Sequence, residues 1–224
     1  MGTLILIRHG RTPANAQGIL AGRAPGVELD DEGRKSAIAL QSKFSGLEIS
    51  KVFASPLIRT QQTAQLVFPD LEIEQADDLI ECEYGDWTGK KLSELAKDPL
   101  WPLVQNSPDK VTFPNGESMQ NMSDRATAQI QNIDLGLTEQ YGENFIWAAV
   151  SHGDVIKAVI ASALGLELSK FQKIYVEPAS VSVIRYNKGD SSVVKVNDTG
   201  DGWVEQLAKL AEPALGGQTG ATED

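Results

Sequence analysis

Two short apolar runs in this chain end in the same way. Leu4-Ile5-Leu6-Ile7-Arg8 delivers His9-Gly10, Trp147-Ala148-Ala149-Val150-Ser151 delivers His152-Gly153, and these are the only histidines in the sequence. An apolar run without alternation marks a strand buried on both faces, which requires a parallel or mixed sheet covered by helices. Lys51 to Ala54 reads as a third such strand. In sheets of this kind ligands gather beyond the carboxyl ends of the strands. If both His-Gly strands run parallel in one sheet, their imidazoles emerge at one edge and face each other. A hydrogen-bonded core histidine is the plain alternative for either one, and the duplicated placement weakens it. Glycine after each histidine gives the backbone room to approach a ligand and exposes N–H groups where a following helix begins, a setting for an anion. Arg8 and Arg11 flank His9, and cationic neighbours disfavour an imidazolium, leaving His9 a neutral base or nucleophile.

The segments between the strands carry helix signals. Asp30 to Phe44, with an acidic start and apolar Ala37, Ile38, Leu40 and Phe44, reads as a capped amphipathic helix. Leu57 to Phe68 follows Ser55-Pro56, read as a cap with proline in the first turn. Pro99, Pro102, Pro108 and Pro114 interrupt any long element in residues 90–115, which are expected to form a small lid insertion. Met119, Met122, Ala126, Ile130, Ile133 and Leu137 recur at spacings of three and four, predicting one long helix with a buried stripe. Phe145 to Val150 is expected as strand and Asp154 to Leu164 as helix. Val181 to Tyr186 and Ser192 to Val196 are expected as a hairpin turning at Lys188-Gly189-Asp190. The fold class is therefore α/β, a three-layer sandwich with a mostly parallel central sheet flanked by helices, plus the lid. Residues 1–211 are expected as a single domain and 212–224 as a disordered tail.

Composition narrows the partners. At 224 residues the chain can bury one substantial core. A formal charge of −11 opposes general nucleic-acid binding, though it leaves room for a local basic pocket. The single cysteine, Cys82, permits no intrachain disulfide, and the first apolar run breaks at Arg8, too early for a signal sequence or a membrane span. A cytoplasmic protein acting away from membranes is the expectation.

The basic pocket has candidate members. Arg59, in Ser55-Pro56-Leu57-Ile58-Arg59-Thr60, lies just past a strand exit. With Arg8 it would supply permanently charged planar forks matched to phosphate oxygens; on its own it would read as a surface arginine. A general acid would come from Leu79-Ile80-Glu81-Cys82-Glu83-Tyr84-Gly85-Asp86, and spacing alone leaves Glu81, Glu83 and Asp86 open. A carboxyl near a phosphate dianion has its pKa raised, which suits proton donation. Lys90, Lys91 and Trp101 read either as contacts to a substrate tail or as solvated lysines and a packing aromatic.

Four ordered stretches, R-H-G-R-T at 8–12, S-P-L-I-R-T-Q-Q-T-A at 55–64, L-I-E-C-E-Y-G-D-W-T-G at 79–89 and S-H-G-D at 151–154, resemble the histidine phosphatase superfamily in its phosphoglycerate-mutase-like or cobalamin-phosphatase-like branch. F-P-N-G-E-S at 113–118 resembles the family's turn before its long helix. The resemblance implies that His9 accepts the phosphoryl group, that Arg8, Arg59 and a protonated His152 form the phosphate pocket, and that Thr12, Asn15, the Gly22 backbone and Gly153 line it. The family pattern Leu-x-Glu-x-x-aromatic-Gly falls on Leu79, Glu81, Tyr84 and Gly85, which selects Glu81 as proton donor and leaves Trp87 to packing. No metal and no cofactor is implied, and two histidines without a carboxylate cluster make a poor metal site.

The implied activity is hydrolysis of a small phosphorylated metabolite through a phosphohistidine. A phosphoglycerate-type mutase is the alternative, and a non-catalytic interaction protein retaining the fold is an alternative of another class. Mutases of the family resemble one another in an arginine pair after a lid tryptophan, where this chain has Pro102 and Leu103 after Trp101. Arg11 stands where mutases generally carry an acidic residue, and its role is open. The resemblance also suggests a homodimer, although no apolar stripe in the sequence marks an interface.

Overall fold

The structure, a computed structural model, describes residues 2–187 and 190–200. The centre of the expected hairpin turn, Lys188-Gly189, and the tail expected to be disordered, 212–224, lie outside them. A six-stranded sheet has the spatial order β3-β2-β4-β1-β5-β6, formed by β1 (Thr3–Arg8), β2 (Lys51–Ala54), β3 (Ile73–Gln75), β4 (Ile146–Ser151), β5 (Val181–Asn187) and β6 (Asp190–Asp198). The pairs β1/β4, β2/β4 and β2/β3 are parallel, whereas β5 runs antiparallel to both β1 and β6. The expected α/β sandwich with a mostly parallel sheet is thus present. Strand β3, short and half-buried at the sheet edge, carries no apolar run and went unread in the sequence.

Alternation along β1 distributes its side chains to two cores. Leu4 and Leu6 pack with Trp147 and Ala149 of β4, with α6 (Met119–Tyr141), with α7 (Gly153–Ala163) and with the segment around Tyr84 and Trp87. Ile5 and Ile7 face the other way with Ala148 and Val150, against α2 (Asp31–Gln41) and α3 (Ile58–Val67). Each fully buried aliphatic side chain here contributes about 1.5–3 kcal/mol of transfer free energy. The stripe predicted for α6 is buried at every named position, from Met119 to Leu137. In α2 the prediction fails at Ile38, which is 52% exposed: Ala37 and Leu40 define the inward face, and the helix gives way to a 3₁₀ turn at Ser42–Phe44.

One local expectation is corrected. Ser55-Pro56 does not cap α3; Leu57 precedes the helix without a side-chain cap, and the Ser55 hydroxyl is engaged elsewhere. Residues 90–115 hold short elements only, α4 (Leu92–Leu95), α5 (Trp101–Asn106) and a 3₁₀ turn at Pro108–Lys110, in keeping with prolines that interrupt any long one. Trp101 is buried and stacks on Trp87 with ring centroids 6.1 Å apart and 26° between planes. Short helix α1 (Pro13–Ala16) follows a reciprocal cap between Thr12 and Asn15.

Candidate active site

Register does most of the work of assembling the site. Arg8 of β1 pairs with Ser151 of β4, so His9 and His152 occupy the next position on adjacent parallel strands, where neighbouring chains lie about 4.8 Å apart. Their rings stand 5.3 Å apart, centroid to centroid, at 60°, and both residues are buried. His9 N–H bonds to the Ser151 carbonyl, Ser55 N–H bonds to the Val150 carbonyl, and the Ser151 hydroxyl donates to Leu79 O at 2.7 Å. The exits of β1, β2 and β4 and the Leu79 segment are thereby held together.

Hydrogen bonding fixes the state of each histidine. His9 Nδ1 lies 2.8 Å from Gly10 O, and a carbonyl only accepts, so Nδ1 carries the proton and the Nε2 lone pair is left for chemistry. Burial, then Arg59, then Arg8 hold the His9 pKa well below the usual histidine value. At His152 the Arg59 guanidinium lies 3.2 Å from Nδ1 and the Ser55 hydroxyl 2.7 Å from Nε2. A guanidinium only donates, so Nδ1 accepts and Nε2–H points to Ser55. Burial and the neighbouring cations push this pKa down as well. In the free site the ring is therefore neutral; the protonated His152 expected of the site with phosphate bound is a separate state.

The two arginines are buried to 2% exposure. Arg8 donates to Val176 O at 2.7 Å, and Arg59 donates to Gly22 O at 2.8 Å. Gly22 has φ +51°, and a Cβ there would come within 3.0 Å of Thr88 and Tyr84, so its carbonyl reaches Arg59 through a turn that suits glycine. Arg8 Nε, Arg59 Nε and Arg59 Nη1 find no acceptor among the described residues. An unsatisfied buried donor costs about 1–3 kcal/mol, a cost that an oxyanion within reach of these groups would remove. Burial lowers Arg59 to about 10, still charged at neutral pH.

Of the three carboxylates left open, Glu81 is the one inside. Its side chain is buried, Oε1 accepts Cys82 N–H at 3.0 Å, and Oε2 lies 4.0 Å from His152 Nδ1. Burial first, then the charge of Asp154, raise its pKa to about 7, against the opposing pull of Arg59, the Cys82 N–H and Arg8. Glu83 instead faces Arg23 at 3.7 Å with 37% exposure, and Asp86 accepts from Asn115. Trp87 is packed between Trp101 and Phe113.

Other expected residues divide. Asn15 Oδ1 accepts both the N–H and the hydroxyl of Thr12, so the cap commits the carbonyl end and leaves the amide NH₂ as the end for a ligand. Helix α7 starts at Gly153, directly after His152, so its first N–H groups lie at the exit of β4. Gly10 departs from expectation: its N–H donates to Thr63 Oγ1, and a Cβ there would meet Gly33 O at 2.6 Å. The close approach of α2 by itself requires glycine here. Arg11 acquires a role, since Nε bonds Asp30 Oδ2 at 2.7 Å and Asp30 caps α2 through Gly33 N–H. Lys90 and Lys91 are exposed.

Sequence reasoning missed Ser55, Val176 O, Thr63 and a clamp behind Glu81. There Arg23 Nε and Arg125 Nη2 both donate to Glu81 O, and Glu117 bridges the two arginines. Ser55 and Thr63 lie in the 55–64 stretch and Glu117 in 113–118, so the motifs carried a signal for these three, whereas Val176 O, Arg23 and Arg125 had none.

A mixed sheet that presents two histidines, two buried arginines and a buried carboxyl at its strand exits defines a phosphoryl-handling site. The sequence model of the histidine phosphatase superfamily (branch 1) matches residues 4–199, and the chain belongs to that superfamily. Phosphoserine phosphatase 1 of Hydrogenobacter thermophilus is 30% identical over 204 residues, covering 89% of this chain and 93% of that protein. The adenosylcobalamin/alpha-ribazole phosphatase of Escherichia coli is 30% identical over 190 residues, covering 83% and 90%. Among solved structures, YhfR of Bacillus stearothermophilus superposes with a TM-score of 0.79 at 26% identity, over 87% of this chain and 96% of that one. The Entamoeba histolytica phosphoserine phosphatase in complex with 3-phosphoglyceric acid gives 0.77 at 27% identity, over 88% and 98%.

Proposed function

We propose that this chain hydrolyses a small phosphomonoester through a phosphohistidine on His9, with Glu81 as proton donor. The observation that carries the reading is the free Nε2 of neutral His9 beside two buried guanidiniums, of which Arg8 Nε, Arg59 Nε and Arg59 Nη1 lack acceptors among the described residues. Nε2 attacks phosphorus in line, the bond to the leaving oxygen breaks, and Glu81 gives that oxygen its proton. Arg8 and Arg59 hold the charge spread over the equatorial oxygens, a task preorganised donors perform without reorienting. The carboxylate of Glu81 then takes a proton from water as that water attacks the phosphohistidine. Phosphate leaves, and His9 and Glu81 return to their starting states. The two guanidiniums supply the positive charge the transition state needs, which supports a metal-independent reaction.

Phosphatase-named relatives support hydrolysis over transfer, as does Trp101-Pro102-Leu103, where Trp101 is committed to packing on Trp87. The mutase reading shares every catalytic group. Among the described residues no helix is long and apolar enough to cross a membrane, and the lone Cys82 is buried, which is compatible with the cytoplasmic setting we propose.

The purified protein is expected to hydrolyse p-nitrophenyl phosphate in the presence of EDTA. His9→Ala should lower the rate to that of buffer while circular dichroism stays unchanged; undiminished hydrolysis by that variant would sink the mechanism. Interconversion of 3- and 2-phosphoglycerate with a bisphosphoglycerate primer, if faster than hydrolysis, would reverse the ranking in favour of a mutase.

A further inference from the structure

Beneath the site lies a buried ion pair that the mechanism above does not use. Asp154 and Lys157, one turn apart on α7, are 0% and 3% exposed, with Lys157 Nζ 3.4 Å from Asp154 Oδ1. The Tyr84 hydroxyl, also fully buried, donates to Asp154 Oδ2 at 2.7 Å. Lys157 continues to Gln172 Oε1 at 3.0 Å, and Gln172 reaches Val104 O of α5 at 3.4 Å. Stability gives little reason for such a pair, since apolar side chains of equal volume serve a core as well or better. Its position is more informative. Asp154 is two residues past His152, and Tyr84 is three residues past Glu81, so the Tyr84–Asp154 bond ties the segment carrying the acid to the helix that starts at the second histidine.

The groups around the Glu81 carboxyl are mostly cationic or donating. Arg8 acts on it from the end of β1, Arg59 from α3, Lys157 from α7 and the Cys82 N–H from its own segment, while the neutral His152 lies 4.0 Å away and Arg23 and Arg125 hold its backbone carbonyl against Glu117. The three cations and the N–H favour an ionised glutamate, which could not donate a proton. Among the described residues, the carboxylate that opposes them at Glu81 is Asp154. We propose that Asp154 is a positioning residue for the proton donor: anchored by Tyr84 and Lys157, it offsets the arginines of the phosphate pocket and keeps the proton on Glu81 until the leaving oxygen takes it. This rests on the reading of Glu81 as donor. Burial raises the Glu81 pKa most and Asp154 next, so Asp154 adds to desolvation in holding the proton against the arginine pair that binds phosphate.

The test is the alkaline limb of the kcat–pH profile. Asp154→Asn leaves Lys157 as a buried lone cation, so Asp154→Asn/Lys157→Met, which removes both charges, is measured beside it, with folding checked by circular dichroism. In Asp154→Asn the limb is expected to move down by about one pH unit, the effect of losing a nearby like charge, and by less in the double variant, which also loses the Lys157 cation. Above the limb, hydrolysis of glycerol 2-phosphate, whose alkoxide must be protonated to leave, should then fall about tenfold. Hydrolysis of p-nitrophenyl phosphate, with its better leaving group, should fall less, a ratio that a merely structural role for Asp154 would not change. A limb that stays in place in a folded variant, while Glu81→Gln abolishes it, overturns the role of Asp154 and leaves Glu81 as donor. A limb that persists in Glu81→Gln overturns the donor assignment itself.

Discussion

At the scale of single residues, Glu81 shows how function sets the chemistry of a buried group. Its pKa is raised from 4.5 to about 7 by burial and by Asp154, so the folded state holds this proton more tightly than the unfolded chain does. The sign follows from linkage: the contribution to stability is complete below pH 4.5 and is lost as pH rises through about 7. The loss amounts to roughly 3 kcal/mol for a shift of this size. Glu81→Gln, which cannot ionise, should therefore be more stable than the parent at pH 8 by an amount that shrinks towards pH 4.5, measured by urea denaturation at both values. A difference independent of pH would remove the raised pKa from the account. His9, Arg8, Arg59 and His152 were legible in the sequence because each sits at or just past a strand exit. The choice of Glu81 over Glu83 and Asp86 needed the family pattern, since burial separates three acids that spacing does not. Val176 O and the Arg125 clamp were illegible, because a carbonyl or a distant helix residue leaves no local pattern.

Among the elements, α2 and α6 give opposite answers to the same substitution. Gly33 is in the first turn of α2, where a Cβ would meet Arg11 O at 2.1 Å and Arg11 N at 2.7 Å, while Gly136 in α6 has open space around it. Helix propensity favours alanine over glycine at both sites by about 0.8–1.0 kcal/mol. Gly136→Ala should gain most of that. Gly33→Ala should instead lose about 1–3 kcal/mol through overpacking, and because the clash is with the turn following His9, its activity should fall further than its stability. Thermal unfolding of the two variants, with hydrolysis assayed alongside, checks both signs. Periodicity revealed α6 and α7 and the central strands because their burial is one-sided or complete. Strand β3 escaped it: two half-buried residues and an exposed one at a sheet edge are held by the backbone ladder to β2, and backbone pairing leaves no mark on side-chain type.

The whole molecule carries −11 at pH 7 yet concentrates two buried guanidiniums at one end of its sheet. A phosphate dianion therefore meets long-range repulsion before short-range attraction. Screening separates the two, since the Debye length is roughly 30 Å at 0.01 M salt and about 10 Å at 0.1 M, and buried charges are screened far less. Raising a non-coordinating salt across that range should increase kcat/KM modestly, mainly by lowering KM. A steep fall would mean that steering comes from exposed cations outside the pocket. One arrangement at this scale has an optical consequence. Trp87 belongs to the stretch that begins with Leu79 and Glu81, Trp101 begins α5, and their indoles lie 6.1 Å apart at 26°. Transition dipoles that close and that oriented couple, so the seating of α5 on the acid's segment should appear as an exciton couplet in circular dichroism. The docking of that helix can thus be followed with no label and no substrate.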